Sequence, residues 1–347
     1  MSRPSDPLAL DPVVVTGVGL SSSLGPLAMA AAAFRAGLVR IRELPGVTFV
    51  TDDNVVEQAS GHVAPGLNGG YQGAARLAHL ARGALRDLGP VEGRVELALT
   101  VPDAARGYVD RHRQTLVDAV VRAAGPDARL AEVRFGRTGV AASLARARRA
   151  LADDASRVVV VGAVDSLVDP GRIEDLAAED RLARPDQPDG LTPGESACFV
   201  RVERLSHARQ RGADALARLD GADVADDVAD DRVGIGLAVA VRRVLGGPDG
   251  QIAGGPLSLY VDVNGETERA SALGHALVHL AATADVEPWR VVAPGPSFGD
   301  VGVAASPLAV GLAVRAAARG YAHGARAVVA TTPDESGIAS ALSLAPL

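Results

Sequence analysis

Groups able to act as nucleophiles, proton carriers or metal ligands are scarce in this sequence. It holds one cysteine, Cys198, and seven histidines. A single thiol excludes an intrachain disulfide framework and a cysteine-only metal site. His275 and His279, in GHALVHLAA, are four residues apart, so a helix would place them on one face. Zinc needs further ligands, and neither H-E-x-x-H nor a third donor accompanies them, so they read as packing or surface histidines. No G-x-S-x-G occurs, so no Ser/His/Asp set can be assembled by motif. Asp186, Asp189 and Glu195 fall in one Gly/Pro-rich stretch. Calcium usually takes six or more ordered oxygens, so these carboxylates read as holding a turn. Gly17-x-Gly19-x-x-Ser22 is an imperfect dinucleotide fingerprint: its third glycine is missing and no acid ends a second strand. No metal and no cofactor is therefore assigned.

The stretch with the most pointed geometry runs from Glu132 to Asp165, EVRFGRTGVAASLARARRALADDASRVVVVGAVD. A short strand, Glu132–Phe135, meets the turn Gly136-Arg137-Thr138-Gly139. A helix follows to about Asp154, with Val140, Leu144, Ala147 and Leu151 on one face. Val158–Val161 is an apolar β-branched run, as in a strand buried on both faces. Such an elbow aims the first helical amides, and any side chain at the turn, at one point. Gly136 brings no nucleophile there. Thr138 reads as bonding the helix backbone.

The elements around this elbow follow from pattern and composition. A chain of 347 residues suits one large domain or two fused halves, with a core of Ala, Val and Leu, since hydrophobic residues make up 48% and aromatics 3%. A net charge of −7 without a long basic run argues against a nucleic-acid surface. The opening MSRPSDPLALDP lacks the apolar core of a signal peptide, and no apolar run of ~18 residues appears. The expectation is a cytoplasmic protein without a membrane span. Pro12–Gly19 reads as a strand entering a glycine turn, with Ser21–Ser23 capping a helix to about Ala36. Residues 40–72 read as loop and short strands; a helix at Gly73–Leu88, a strand at Arg94–Val101 and a helix at Tyr108–Ala124 lead into the elbow.

Beyond it, Asp169–Arg184 reads as helical and precedes RPDQPDGLTPGESACFVRVE, a loop and a strand that buries Cys198 as a small hydrophobe. Asp226-Asp227 and Asp230-Asp231 form an acidic loop. Then come a helix at Arg232–Leu245, a strand at Leu257–Val263, a helix at Ala270–Ala284, a strand at Trp289–Ala293 and a helix from about Ala304 to Tyr321. Strands at Ala325–Thr331 and Ile338–Leu344 finish the chain. Two successive runs of alternating strands and helices define an α/β protein with largely buried sheets.

The elbow resembles that of the β-ketoacyl-acyl carrier protein synthases, the ketosynthases of the thiolase superfamily, which reads Cys-x-Ser-Gly before a helix and an apolar strand ending in Gly. Anchored on Gly139, the chain reaches Gly162 at the family's spacing. Val13–Gly25 is similar to the family's opening V-V-x-T-G-x-G-x-x-S-x-x-G. The loop Arg184, Pro185, Asp189, Gly190, Gly194, Glu195 and Ala197 resembles its R-P-F-D…D-G-F-x-x-G-E-G-A motif, with Ser196 replacing a glycine. The resemblance covers about residues 12–345. It implies a thiolase-like fold: two duplicated α/β halves, residues 12–205 and 206–347, in a layered αβαβα arrangement.

The resemblance also implies where a condensing site would lie. The family's nucleophilic cysteine falls on Gly136. Its first histidine, in V-N-A-H-G-T-x-T, falls on Asn264 of Val261–Thr267. Its second, in G-H-x-x-G-A-A-G, falls after a small register shift on Asp300, and the lysine five residues earlier is Gly295. The G-F-G-G gate resembles Asp334-Glu335-Ser336-Gly337. Glycine cannot carry an acyl thioester. Asn264 could donate to a thioester carbonyl but cannot shuttle protons, and an ionised Asp300 would repel an enolate. No intact catalytic residue is assigned, and Arg137, Thr138, Glu335 and Ser336 are the pocket candidates. Two arrangements of Arg137 stay open: it turns inward onto Asp300, Glu335 or both, plugging the acyl entry, or it points to solvent and the carboxylates line an open, wet cleft.

Two functions stay open. One is a catalytically inactive, chain-length-factor-like dimer partner or scaffold in fatty-acid or polyketide-type biosynthesis. The other is an acyltransferase or malonyl-thioester decarboxylase using altered residues such as Asn264 and Asp300. The family pairs subunits through the strand before the elbow, so a homodimer or a heterodimer with an active ketosynthase is expected. An acyl carrier protein is a further candidate partner; nucleic acid and membrane are not.

Overall fold

The computed structural model describes residues 7–50, 54–66, 70–91, 93–102, 108–184, 186–226, 234–246, 251–252, 254–333 and 337–347. After a one-turn helix α1 (Pro7–Leu10), strand β1 (Val13–Ser22) leads to helix α2 (Leu27–Arg35) and a separate hairpin of β2 (Arg42–Val50) and β3 (Val56–Gly61). Helix α3 (Gly73–Leu88), β4 (Val95–Val101), α4 (Tyr108–Ala124) and β5 (Ala128–Phe135) follow. The elbow joins β5 to α5 (Gly139–Asp153) and β6 (Val158–Ser166). Helix α6 (Pro170–Ala178), β7 (Glu195–Arg204) and α7 (Leu205–Gln210) then lead to β8 (Ala217–Asp226), α8 (Ile235–Leu245) and β9 (Leu257–Val261). Helix α9 (Thr267–Ala281), β10 (Trp289–Val292), α10 (Gly295–Phe298), α11 (Ala305–Ala318), β11 (Arg326–Thr331) and β12 (Ile338–Ala345) complete the chain.

The main strands pair in the order β10-β9-β11-β12-β8-β1-β7-β6-β4-β5. Read inward from either edge, the order is the same. On one wing β5, β4 and β6 run parallel, and β7 and β1 follow antiparallel. On the other, β10, β9 and β11 run parallel, and β12 and β8 follow antiparallel. The wings meet where β1 pairs with β8 at Val14–Arg218 and Val15–Ala217.

Three apolar layers explain how the wings stack. The face of α3 that carries Leu77, Leu80, Ala84 and Leu88 packs on one wing against Leu97, Leu99 and Phe199. The face of α8 that carries Leu237, Val241 and Leu245 packs on the other against Leu259, Val328 and Ala341. Between the wings, Val140, Leu144, Ala147 and Leu151 of α5 meet Leu308, Leu312 and Val314 of α11 in one core. Helix, sheet, helix pair, sheet, helix is a five-layered αβαβα sandwich, each sheet buried on both faces. We propose that the halves at 12–205 and 206–347 are topological repeats rather than independent domains, because this central core draws on both.

Several local expectations are corrected. β1 does not turn at Gly17 and Gly19 but runs on through both to Ser22. The glycines serve close packing: a Cβ at Gly19 would lie 2.1 Å from the Ala84 carbonyl oxygen of α3. Helix α2 accordingly starts at Leu27 with Pro26 at its N-cap and no side-chain cap, while Ser22 Oγ donates to the Gly25 carbonyl at 2.9 Å. β2 and β3 pair antiparallel and are, at nine and six residues, longer than short strands suggest. Helix α6 stops at Ala178, well before Arg184. β8, unmarked by any strong apolar run, pairs with all eight residues of β12, Ile338–Ala345. Of the acidic loop, residues 227–233 lie outside the described ones. No helix among the described residues is long and apolar enough to cross a membrane.

Candidate functional site

The elbow forms as its sequence dictates. Gly136 sits at φ +79°, a left-handed conformation that a side chain disfavours. Gly139, the first residue of α5, has no room for a Cβ, which would lie 2.6 Å from Thr100 Cγ2. Thr138 is the N-cap residue and is buried, but its side chain makes no capping hydrogen bond, contrary to expectation. Its backbone does the work instead, the Thr138 carbonyl accepting from Ala142 N at 3.0 Å.

Three chain segments converge beside the elbow. Asn264 follows β9, and Asp300 lies in the turn between α10 and a single 3-10 turn, Gly302–Ala304. That turn is stitched to the 184–195 loop, Gly194 N donating to the Asp300 carbonyl at 2.9 Å and Asp300 N to the Thr192 carbonyl at 2.8 Å. The two positions meet directly, Asn264 Nδ2 donating to Asp300 Oδ2 at 2.7 Å. Arg137 reaches in from the elbow and donates through Nη2 to both Asp300 oxygens, at 2.7 and 2.5 Å. Its Nη1 is 3.7 Å from Asp262 and donates to the Gly302 carbonyl at 3.4 Å.

This core extends into a closed charge network that sequence reasoning missed. Arg269 of α9 pairs with Asp262 at 3.2 Å and with Thr332 Oγ1 at 2.7 Å. Asp262 Oδ1 also accepts from Thr332 N and Oγ1. Glu266 accepts from Arg181 at 2.7 and 3.2 Å and from Asn264 Nδ2 at 2.7 Å. Asp165, at the end of β6, accepts from Val303 N at 3.0 Å and Ser166 N at 2.8 Å. The available signal was a charged residue inside an apolar strand end, VDVN, at Asp262.

Burial works against charge throughout, and the partners decide the outcome. Burial opposes ionisation of Asp300, but Arg137, then Arg269, outweighs it and holds the carboxyl well below the usual carboxylate range. Burial likewise opposes the Arg137 charge, which Asp300 and Asp262 more than restore. Glu266 is held low against its burial by the Arg181 and Asn264 hydrogen bonds. Asp165 goes the other way: burial pushes it up despite the Val303 amide and the nearby charges of Arg172 and Arg137.

The structure thus brings Gly136, Arg137, Thr138, Asn264 and Asp300 together. Glu335 and Ser336 lie outside the described residues. The inward turn of Arg137 onto Asp300 is present, with Asp262 as its second carboxylate. The plug is incomplete, because a cleft of about 960 Å³ stays open beside the ion pair. Its lining includes Gly136, Arg137, Thr138, Asp165 and Asp300, with Phe135 and Ile338. His275 lies at its side, exposed on α9 like His279, and among the described residues no group of three His, Cys, Asp or Glu could hold a metal. Glu195 is buried against Arg76 at 2.6 and 2.8 Å, and Asp189 accepts from Thr267 N at 2.9 Å, so both hold structure. Cys198 is fully buried, its thiol pushed up by burial and donating to the Pro307 carbonyl.

No protein-family model matches the chain, and no curated protein matches it significantly. Solved structures do. The ketosynthase domain KS7 of OzmH, from oxazolomycin biosynthesis in Streptomyces albus JA3453, superposes with a TM-score of 0.76 at 15% identity, over 97% of this chain and 76% of the other. The AntDE:AntF complex, a type II polyketide synthase acyl-carrier protein with its ketosynthase bound to the hexaketide, matches with a TM-score of 0.76 at 15% identity, over 97% and 100%. The ishigamide ketosynthase/chain length factor matches with a TM-score of 0.71 at 18% identity, over 97% and 99%. The fold is therefore the thiolase-like fold of the ketosynthases.

Proposed function

We propose that this chain is a ketosynthase-like subunit without condensing activity, acting as a chain-length-factor-like partner of an active ketosynthase in polyketide- or fatty-acid-type biosynthesis. One observation carries the reading. The three positions that would hold the reacting groups converge, yet they present a glycine, an amide and a carboxylate tied down by Arg137. A thioester carbonyl finds no donor on Asn264, because both Nδ2 hydrogens are directed at Glu266 and Asp300. This weighs against the acyltransferase or decarboxylase reading.

The surface supports a partner. Among the described residues β5 ends its sheet with one edge unpaired, and Leu130 and Phe135 on it are 40% and 37% exposed. An uncovered edge of that kind is a template for another strand. The full-length match to a ketosynthase/chain length factor fits such a pairing, and the match to a carrier-protein complex supports an acyl carrier protein as a further partner. The test is co-expression with a ketosynthase of the native host that carries the cysteine and both histidines, followed by light scattering and a malonyl-thioester condensation assay. The expected result is a dimer in which this chain alone turns over nothing. A strict monomer at micromolar concentration, alone and with the ketosynthase, overturns the partner role, and turnover of acyl or malonyl thioester by this chain alone overturns the inactivity.

A further inference from the structure

The chain carries a net charge of −7, yet one of its grooves is positive. The groove lies where α3 and α4 end, has a volume of about 580 Å³, and is bordered by Arg82, Arg86 and Arg122. All three arginines are exposed, and among the described residues none makes an ion pair or a hydrogen bond through its side chain. Arg82 and Arg86 are four residues apart on α3 and share a face, while Arg122 borders the groove from the last turn of α4. Among the described residues no carboxylate lines it. Asp87 of α3 is turned away, accepting from the Leu20 and Leu27 amides at 3.0 and 2.9 Å, and Asp118 of α4 accepts from Gln114. The last carbonyls of α3 and α4 add roughly half a negative charge each, which three guanidiniums outweigh.

Accessible apolar surface accompanies this charge. Pro90 and Pro126 are exposed at the rim, and Val91, Ala119, Ala123 and Ala124 are half-buried along it. A small inorganic anion has no use for such a wall. A protein segment with carboxylates on one side and aliphatic groups on the other matches both features. Val160 of β6 borders this groove and Asp165 of the same strand borders the cleft, so the two lie near opposite ends of β6, about 16 Å apart. We propose that the groove docks an acidic, amphipathic segment of a partner protein, its carboxylates on Arg82, Arg86 and Arg122 and its apolar side on Pro90, Val91 and the alanines of α4. No residue of β5 lines the groove, so the inference stands apart from pairing through that edge.

The test uses the purified chain and the fluorescence anisotropy of a labelled helical peptide of about three turns, glutamates on one face and leucines on the other, at about 50 mM salt. This peptide should bind at least about tenfold tighter than its counterpart with glutamine for glutamate, the scale of three exposed ion pairs. The difference should vanish at about 1 M salt. Arg82→Gln, Arg86→Gln and Arg122→Gln combined should remove it. Arg149→Gln, Arg290→Gln and Arg319→Gln combined, at three exposed arginines outside the groove, change the net charge equally and should leave it intact. All six side chains are exposed, so both variants should fold. No binding by the wild type, or an equal loss in both triple variants, overturns the proposal. So does a peptide with alanine for leucine that binds as tightly, or inorganic tripolyphosphate that binds more tightly than the peptide, because either reduces the groove to a general anion site.

Discussion

Replacing Arg137 by methionine isolates the ion pair at the centre of the site. Methionine keeps most of the side-chain volume and removes the charge. The side chains of Arg137 and Asp300 are 11% and 1% exposed, so Asp300 would keep Asn264, the Gly302 amide and the weaker charge of Arg269 but lose its ion-pair partner. Asp262 suffers less, because Arg269 stays 3.2 Å away. Breaking one partner out of a buried pair costs roughly 3–5 kcal/mol, and we expect that range in urea unfolding at pH 7. The pH dependence separates lost charge from lost packing. In the wild type Asp300 has a depressed pKa, so its stabilisation is present above the ordinary carboxylate pKa of about 4 and is lost only as pH falls through its lower folded value. In Arg137→Met the same carboxyl would have a raised pKa, and acid would relieve its burial by protonation. The gap between the two proteins should therefore narrow from pH 7 towards pH 4. A gap below about 1 kcal/mol, or one that stays constant with pH, refutes the assignment of Asp300 as a charged, Arg137-dependent group.

On the proposed function Gly136→Cys should show no condensation of acyl and malonyl thioesters, because neither Asn264 nor the Arg137-paired Asp300 can carry protons to and from a substrate; product formation in a radiolabelled-malonyl assay would contradict this. Gly302→Ala should destabilise by about 2–4 kcal/mol in urea unfolding: Gly302 has φ +57°, and the new Cβ would lie 1.8 Å from Asp165 Oδ2, displacing the Val303 hydrogen bond. His62, 1% exposed, has its pKa lowered to about 4 by burial. Its contribution to stability is full above about 6.5 and declines by roughly 3 kcal/mol as pH falls to about 4. His62→Gln should flatten that part of the profile, and urea midpoints across this range would check it.

How much of this was legible without coordinates depends on how local each determinant is. Helix α5 and strand β6 follow from their own spacing, because a helix places residues i, i+4 and i+7 on one face whatever surrounds it, and four consecutive valines suit a strand buried on both sides. The identities of Gly136, Asn264 and Asp300 were likewise readable: none of the three side chains is a thiol or an imidazole. β8 was not readable: ARLDGADVAD has no strong apolar alternation, and it is a strand because β12 and β1 flank it and Gly221 lets Val244 of α8 sit on its backbone. The glycines of β1 suggested a turn by their own freedom, yet α3 lies against them and keeps the strand straight. The charge network depended most on the fold. Arg137 and Asp300 are separated by 163 residues and Arg181 and Glu266 by 85, and no local pattern encodes such pairs. They form because two wings of the same strand order fold over one apolar core, which carries the elbow, the Asn264 turn and the Asp300 turn to one place where buried charges must find each other.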